Sequence, residues 1–107
     1  MNGRLSAVDV AAANTPETVY EAPNDIQYAT VSVSVCNRGP STAQITISGS
    51  TTDNTIDVAN IIEYAVELLP HNVLERTGII VPQGEFLVVE SNTADISVVV
   101  MGAEVPQ

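Results

Sequence analysis

The clearest pattern in the chain is an alternation of apolar and small polar residues between residues 28 and 37. Val31, Val33 and Val35 alternate there with serines and a cysteine, so every second side chain is apolar. A period of two places successive side chains on opposite faces of a strand. A second alternation covers residues 43–48, and a Gly-Pro turn segment separates the two runs. We therefore predict two antiparallel strands joined by a loop.

Shorter alternating or apolar runs predict the remaining strands, and clusters of Gly, Pro, Asn and Asp separate them. These runs cover residues 5–10, 18–21, 73–81, 85–90 and 96–101. Residues 56–69 fit a helix or a strand, and the strand is favoured because the flanking elements are strands. Seven or eight strands with turn signals about every 8–12 residues are typical of a sandwich or small barrel. The predicted fold is an all-β, single-domain antiparallel β-sandwich, either immunoglobulin-like or jelly-roll-like.

The length of 107 residues fits one domain, which we divide into three parts. Residues 1–14 form an N-terminal arm, residues 15–102 the sandwich, and residues 103–107 a short polar tail. The arm holds a strand candidate and the alanine run Ala11 to Ala13. The segment Asn14-Thr15-Pro16 stops any helical turn there, because proline disfavours helix in the residue before it. We expect this arm to pair either with its own sheet or with a neighbouring subunit.

The charge of the chain limits the classes of partner that it is expected to bind. Thirteen acidic residues oppose three arginines, and the formal net charge is −10. Such a charge repels phosphate backbones and anionic lipid head groups, so nucleic acid and membrane partners are disfavoured. The acids either keep the protein soluble or form a face that docks onto a basic partner. The sequence shows no signal segment and no apolar run of about 20 residues.

Catalytic and metal chemistry finds little support in the sequence. His71 is the one histidine, and it lies in a predicted turn without a recognisable nucleophile partner. Cys36 and His71 lie too far apart in the sequence to form the close Cys/His spacing of a zinc site. Glu63 and Glu67 share one side of either a strand or a helix, which leaves a hydrolase as a remote alternative. We predict that the protein is not an enzyme and uses no cofactor or metal.

An ordered series of short motifs runs through the chain. The motifs are Val19-Tyr20 followed by Pro23, Asn37-Arg38-Gly39, Ile62-Glu63-Tyr64, Leu74-Glu75-Arg76-Thr77-Gly78 and Gly84-Glu85. In this order and spacing they resemble small virion structural proteins of tailed bacteriophages, particularly those of aquatic and cyanobacterial phages. The resemblance covers roughly residues 15–102. It implies a β-sandwich carried on the particle, as a decoration (cement) protein of the head or as part of a tail component.

The resemblance leads to an expected function and to expected partners. The protein would bind the major capsid protein on the outside of the virion and stabilise the shell, after synthesis in the host cytoplasm. The alternative is a tail or tail-fibre component that serves as an adaptor or receptor-binding module. We expect a homo-oligomer, with a trimer favoured, because oligomerisation would bury surplus apolar surface.

The candidate contact residues come from three features of the sequence. The arm supplies apolar side chains, and the run at residues 86–89 is apolar on both faces of a strand, as expected where one face meets a partner. Two arginines could grip carboxylates within the chain or across an interface. The interface candidates are Leu5, Val8, Val10, Arg38, Arg76, Phe86, Leu87, Val88 and Val89.

Overall fold

Eight strands form two four-stranded sheets in the computed structural model of the chain, which describes residues 2–107. Sheet A has the strand order β1-β8-β3-β6, and sheet B has the order β2-β7-β4-β5. The strands are β1 (Asn2–Val10), β2 (Glu17–Glu21), β3 (Ile26–Asn37), β4 (Ala43–Ser50), β5 (Ile61–Leu68), β6 (Val73–Pro82), β7 (Phe86–Ser91) and β8 (Ile96–Pro106). The predicted all-β sandwich is confirmed.

The strands pair as one long hairpin that has been folded over. β1 pairs with β8, β2 with β7, β3 with β6 and β4 with β5, and every pair is antiparallel. The first strand therefore meets the last, and the nesting continues inward to the β4–β5 hairpin. Two further pairings, β3–β8 and β4–β7, complete the two sheets. This nested arrangement of eight strands in two sheets is a jelly roll, so the jelly-roll form of the prediction is the correct one.

The core lies between the sheets and consists mainly of valine and isoleucine. On the central strand β3, Val31, Val33 and Val35 are fully buried, as the sequence alternation predicted. They pack in one cluster with Ile45 and Ile47 from β4 in the opposite sheet. Each such side chain contributes roughly 1.5–3 kcal/mol by leaving water. The small, branched side chains pack as one layer between the two pleated sheets.

Both predicted terminal segments belong to the sandwich itself. β1 pairs with β8 from Asn2↔Ala103 to Val10↔Ile96, so residues 2–10 form an edge strand of sheet A rather than a separate arm. The apolar face of β1 turns inward, where Val8 contacts the core. The expected C-terminal tail likewise continues β8 as far as Pro106. Met1 lies outside the described residues.

The ambiguous region is a single 3-10 turn followed by a strand, and the strand prediction is confirmed for β5. The turn spans Val58–Asn60. In β5, Val66 pairs with Ile45 and Glu63 pairs with Ile47, so two residues oppose Thr46 alone. This β-bulge shifts the alternation of inward and outward side chains by one position. The shift explains why the apolar residues here imitate helical spacing.

Sheet A is closely packed around Gly102, where three strands meet. Gly102 pairs with Val31 on β3 and with Gly3 on β1. A Cβ atom at residue 102 would lie 2.1 Å from the carbonyl oxygen of Thr30 and 2.8 Å from the Cα of Val31. Both of these atoms belong to the backbone of β3, so they cannot rotate away. Only glycine therefore allows β8 to pass β3 at this spacing.

We expect the substitution Gly102→Ala to destabilise the fold by about 2–4 kcal/mol, because the added methyl group collides with backbone in the middle of the sheet. Urea unfolding followed by circular dichroism measures the loss. The control is Gly49→Ala in β4, where the nearest atom to an added Cβ is the Cβ of Asn60 at 4.0 Å. Equal losses in the two variants would contradict the close approach of β3 and β8.

Candidate functional site

The outward-facing side of sheet A is the surface best suited to a partner. Its two central strands, β8 and β3, turn alternate side chains into the core and the others toward solvent. Eight of the outward positions on these strands form a block without charge. They are Thr30, Ser32, Ser34 and Cys36 on β3, and Ser97, Val99, Met101 and Ala103 on β8. In an acidic chain, an uncharged patch at the centre of a sheet marks this side as different from the rest of the surface.

Large apolar side chains are exposed on the same side of sheet A. Val73 and Ile80 lie on the edge strand β6 and are 53% and 54% exposed, and Met101 on β8 is 42% exposed. Val73 pairs with Cys36, and Ile80 pairs with Thr30, so both stand in line with the uncharged centre. Of the six large apolar residues that are exposed in the described part of the chain, these three share one face.

The few charges on this side balance one another. Arg4 on β1 pairs with Met101, and Glu75 on β6 pairs with Ser34, so one positive and one negative charge stand at opposite edges. At one end Arg38 donates a hydrogen bond to Asp9, with 2.6 Å between Nη2 and Oδ1. The formal charges of these four residues therefore sum to zero, whereas the chain as a whole carries −10. We call the outward side of sheet A, from β1 to β6, the neutral face.

The apolar interface candidates pack within the chain, three of them partly buried and four fully buried. Leu5 and Val8 are partly buried and contact the core from β1. Phe86 is half-buried at the start of β7. The four remaining apolar candidates are fully buried: Val10, Leu87, Val88 and Val89. Side chains that the monomer already encloses have no surface left for a partner.

Val88 faces away from the core and is covered by the loop between β4 and β5. Val88 pairs with Thr18 on one side and with Ser48 on the other. The Thr18 hydroxyl donates to Asp53 at 2.6 Å, and the Ser48 hydroxyl accepts from the backbone N–H of Asp57 at 3.1 Å. Both contacts are made by residues of this loop, so it crosses the outside of sheet B over Val88. The doubly apolar run of β7 is thus explained by a loop of the same chain.

The two arginine candidates both have acidic partners within the chain. Arg38 pairs with Asp9, as described above. Arg76 on β6 lies 3.0 Å from Glu63 on β5, measured from Nη1 to Oε2, and the Glu63 side chain is mostly buried. Since β5 and β6 are the edge strands of opposite sheets, this ion pair closes one open side of the sandwich. Arg76 therefore has a structural role in the isolated chain.

A tyrosine and a glutamate connect the sheets on another side of the sandwich. The hydroxyl group of Tyr20 on β2 donates to Oε2 of Glu104 on β8 at 2.6 Å. Burial raises the pKa of Tyr20 well above its ordinary value of 10.0, and the hydrogen bond to Glu104 and the negative charge of that carboxylate raise it further. Nearby, the Ser6 hydroxyl donates to the carbonyl of Val19 and joins β1 to β2. These contacts hold the two sheets together where backbone pairing cannot.

The outside of sheet B carries a shallow cleft beside an exposed tyrosine. Tyr64 is 74% exposed and lies in the bulge of β5. The next residue, Ala65, has a positive φ of 49°, and its N–H donates to the Thr46 hydroxyl at 3.1 Å. Gln44 and Glu90 line the cleft, whose volume is about 190 Å³. The bulge therefore presents an aromatic ring beside hydrogen-bonding side chains.

The acids and the histidine considered for catalysis are not assembled into a site. Glu63 is held by Arg76, while Glu67 is exposed. His71 is exposed in the turn after β5, where its backbone N–H donates to the carbonyl of Asn37 at 2.8 Å. Among residues 2–107, no group of three or more His, Cys, Asp or Glu residues is placed to hold a metal ion. No helix in the same range is long and apolar enough to cross a membrane.

No protein-family model matches the chain, and no curated protein sequence matches it. The surface features of the jelly roll therefore carry the functional interpretation. They are the neutral face of sheet A and the tyrosine cleft on sheet B. Neither surface was predicted from the sequence, although the uncharged positions of residues 30–36 and 97–103 are visible in the sequence once their strands are known to be neighbours.

We expect Tyr20→Phe to lower the free energy of unfolding by about 1–2 kcal/mol at pH 7, because the hydrogen bond to a carboxylate is lost. The unfolded tyrosine releases its proton near pH 10.0, whereas folded Tyr20 retains its proton to higher pH. This stabilisation is therefore complete below pH 10.0 and is lost above it. The difference in the free energy of unfolding between the wild type and Tyr20→Phe should therefore become smaller as the pH rises above 10.0.

Urea unfolding at a series of alkaline pH values measures this gap, and the exposed Tyr64 supplies the control variant Tyr64→Phe. The control should follow the wild-type profile, because its hydroxyl group is hydrated in both states. A constant gap for Tyr20→Phe across the alkaline range would contradict the cross-sheet role of Tyr20.

Proposed function

We propose that this chain is a virion surface protein of a tailed bacteriophage, and that it decorates the outside of the capsid. The observation that carries the proposal is the nested jelly-roll order of the strands, β1-β8-β3-β6 over β2-β7-β4-β5. This architecture is used in viral capsid domains. The motif order of residues 15–102 points to the same class of protein. The support is thus an analogy of fold joined to a resemblance of sequence.

Several motif residues behind the resemblance have structural roles in the jelly roll. Asn37 is fully buried, and its side-chain amide donates to the carbonyls of Ser41 and Leu68 at 2.8 and 3.0 Å. Its side-chain oxygen accepts from the N–H of Gly39 at 2.9 Å. The Ile62-Glu63-Tyr64 motif is joined to the Leu74–Gly78 motif by the ion pair between Glu63 and Arg76. These residues maintain the fold, so partner choice falls to the outer faces.

Decoration would stabilise a shell by mass action. A protein that binds only the assembled shell adds RT ln(1 + [L]/Kd) to its stability at each site. Many copies with modest interfaces act together through avidity. The negative charge carries no penalty on the outside of the particle, away from the packaged DNA. A core made mainly of valine and isoleucine and a surface that holds the binding features are compatible with this role.

A tail or tail-fibre component that binds a host receptor is the second candidate, and the Tyr64 cleft favours it. An exposed ring can stack on a sugar, and the polar side chains of Gln44, Thr46 and Glu90 can accept or donate hydrogen bonds. The proposals differ in copy number, since a shell has hundreds of sites and a tail has few.

The test of the proposed function is the copy number of the chain in purified virions, by quantitative mass spectrometry with the major capsid protein as the internal count. A simple ratio to the capsid protein is expected for a decoration protein. A count of only a few copies per particle would instead support a tail component. Absence from washed particles would overturn the virion proposal.

A further inference from the structure

From the neutral face we infer that two copies of this chain associate through sheet A, face to face, as a two-fold symmetric dimer. Three properties of the face support this dimer, and none of them depends on where the protein is used. They are the lack of net charge, the exposed apolar side chains and the placement of the two edge charges.

Net charge limits the ways in which two copies can meet. Each copy carries −10, so an approach through most of the surface is opposed by repulsion between acids. The neutral face is different, because its charges are two arginines and two acids. Two copies can therefore approach each other through their neutral faces, whereas repulsion between acids opposes approach through the remaining surface. A strongly basic partner would instead be drawn to the acidic surfaces outside this face.

The side chains of the neutral face suit the packing of one sheet on another. On β3 the centre of the face consists of small side chains, Ser32 and Ser34, and opposite them on β8 lie the apolar side chains of Met101 and Val99. Small central side chains let two pleated sheets approach closely, as the inner faces of a β-sandwich do. The exposed apolar groups of Val73, Ile80 and Met101 would lose contact with water in such a contact.

The two edge charges are placed to pair across a two-fold axis that runs parallel to the strands. Such an axis puts the β1 edge of one copy over the β6 edge of the other, at the same height along the strands. Arg4 stands in the row of Met101, and Glu75 stands in the neighbouring row of Val99. Rows two residues apart are separated by about 6.7 Å. Arg4 of each copy therefore reaches Glu75 of the other, and the contact forms twice.

The area of the neutral face indicates how tightly two copies should associate. Four strands about 4.8 Å apart and about 27 Å of paired length give a flat area of about 500 Å² per copy. The total of about 1,000 Å² is near the lower limit for a specific interface. The dimer should therefore form and dissociate with concentration in free solution, and simultaneous attachment of both copies to a larger structure would strengthen it.

Sedimentation velocity on the full chain between about 5 and about 500 μM tests the inference, because an interface near the lower size limit responds over such a range. We expect the mass to rise from 11.2 kDa toward twice that value. Association should strengthen when NaCl is raised from about 20 to about 500 mM, because salt screens the repulsion between two acidic copies. A mass that stays at 11.2 kDa throughout, or that reaches three copies, would overturn the two-fold dimer.

A matched pair of variants locates the interface. Ser34→Glu adds one negative charge at the centre of the neutral face, whereas Gln44→Glu adds the same charge on the exposed outer side of β4 in sheet B. We expect at least a 10-fold weaker dimer for Ser34→Glu, equivalent to about 1.4 kcal/mol, and a small change for Gln44→Glu. Equal weakening by both variants would mean that the association does not use sheet A. Matching circular dichroism spectra and melting temperatures establish that each variant folds.

Exchange of the edge charges tests the symmetry. Arg4→Glu alone and Glu75→Arg alone should each weaken the dimer, since each places like charges opposite one another. The double variant restores opposite charges in reversed order and should recover most of the lost affinity. A double variant that dimerises no more tightly than the weaker of the two single variants would contradict the reciprocal Arg4–Glu75 contact.

Cys36 on the neutral face provides an independent readout of the dimer. Its reaction with a maleimide should slow as the protein concentration rises, because the dimer covers this face.

Discussion

The burial of small branched side chains between two sheets is the constraint on which the rest of the structure depends. The chain has no tryptophan and one phenylalanine, so valine and isoleucine on alternate positions must supply most of the buried area. Such side chains fill a thin layer completely only when the sheets are close and the strands in register. Val31, Val33 and Val35 meet this demand on β3, and Gly102 lets the neighbouring strand β8 lie close enough to complete the layer.

The nested strand order places different elements at the open sides of the sandwich, and side chains close those sides. The ion pair between Arg76 and Glu63 joins the edge strands β5 and β6, and Tyr20 joins β2 to Glu104 on β8. Since inward positions are committed to the core and to these links, partner recognition is left to the outward positions. The neutral face is therefore informative: nothing in the core demands that its central residues be uncharged.

Most of the fold could be predicted from the sequence, because its strands follow the period of two that buries one face. The edges were harder to predict. For residues 2–10, pairing with the chain's own sheet and pairing with a neighbouring subunit both stayed open, because alternation alone does not identify a pairing partner. That partner, β8, lies almost the whole chain away. In β5 the bulge at Ala65 moved the alternation by one residue and imitated a helix. Val88 was predicted as a contact residue from an apolar run, but its side chain is buried under the loop between β4 and β5. No local pattern in the sequence reveals that a distant loop will cover a strand.

The neutral face has the same origin in the sequence as the core, but it needs the strand order before it can be recognised. Ser32 and Ser34 look unremarkable on β3 alone, and so does Val99 on β8. Because β3 and β8 pair, these three residues lie side by side in one continuous uncharged surface. A fold with another strand order would have dispersed the same residues over separate faces. The prediction of contact surfaces thus depends on long-range pairing, which sequence periodicity does not supply.

A reconstruction of the virion by electron cryomicroscopy, at a resolution that traces strands, would locate the protein and show its contacts. We expect jelly rolls on the outside of the particle, arranged in pairs about two-fold axes, with sheet A of each copy against sheet A of its neighbour. Jelly rolls that stand on the particle with the outer side of sheet A open to solvent, or that pair through sheet B, would contradict this arrangement.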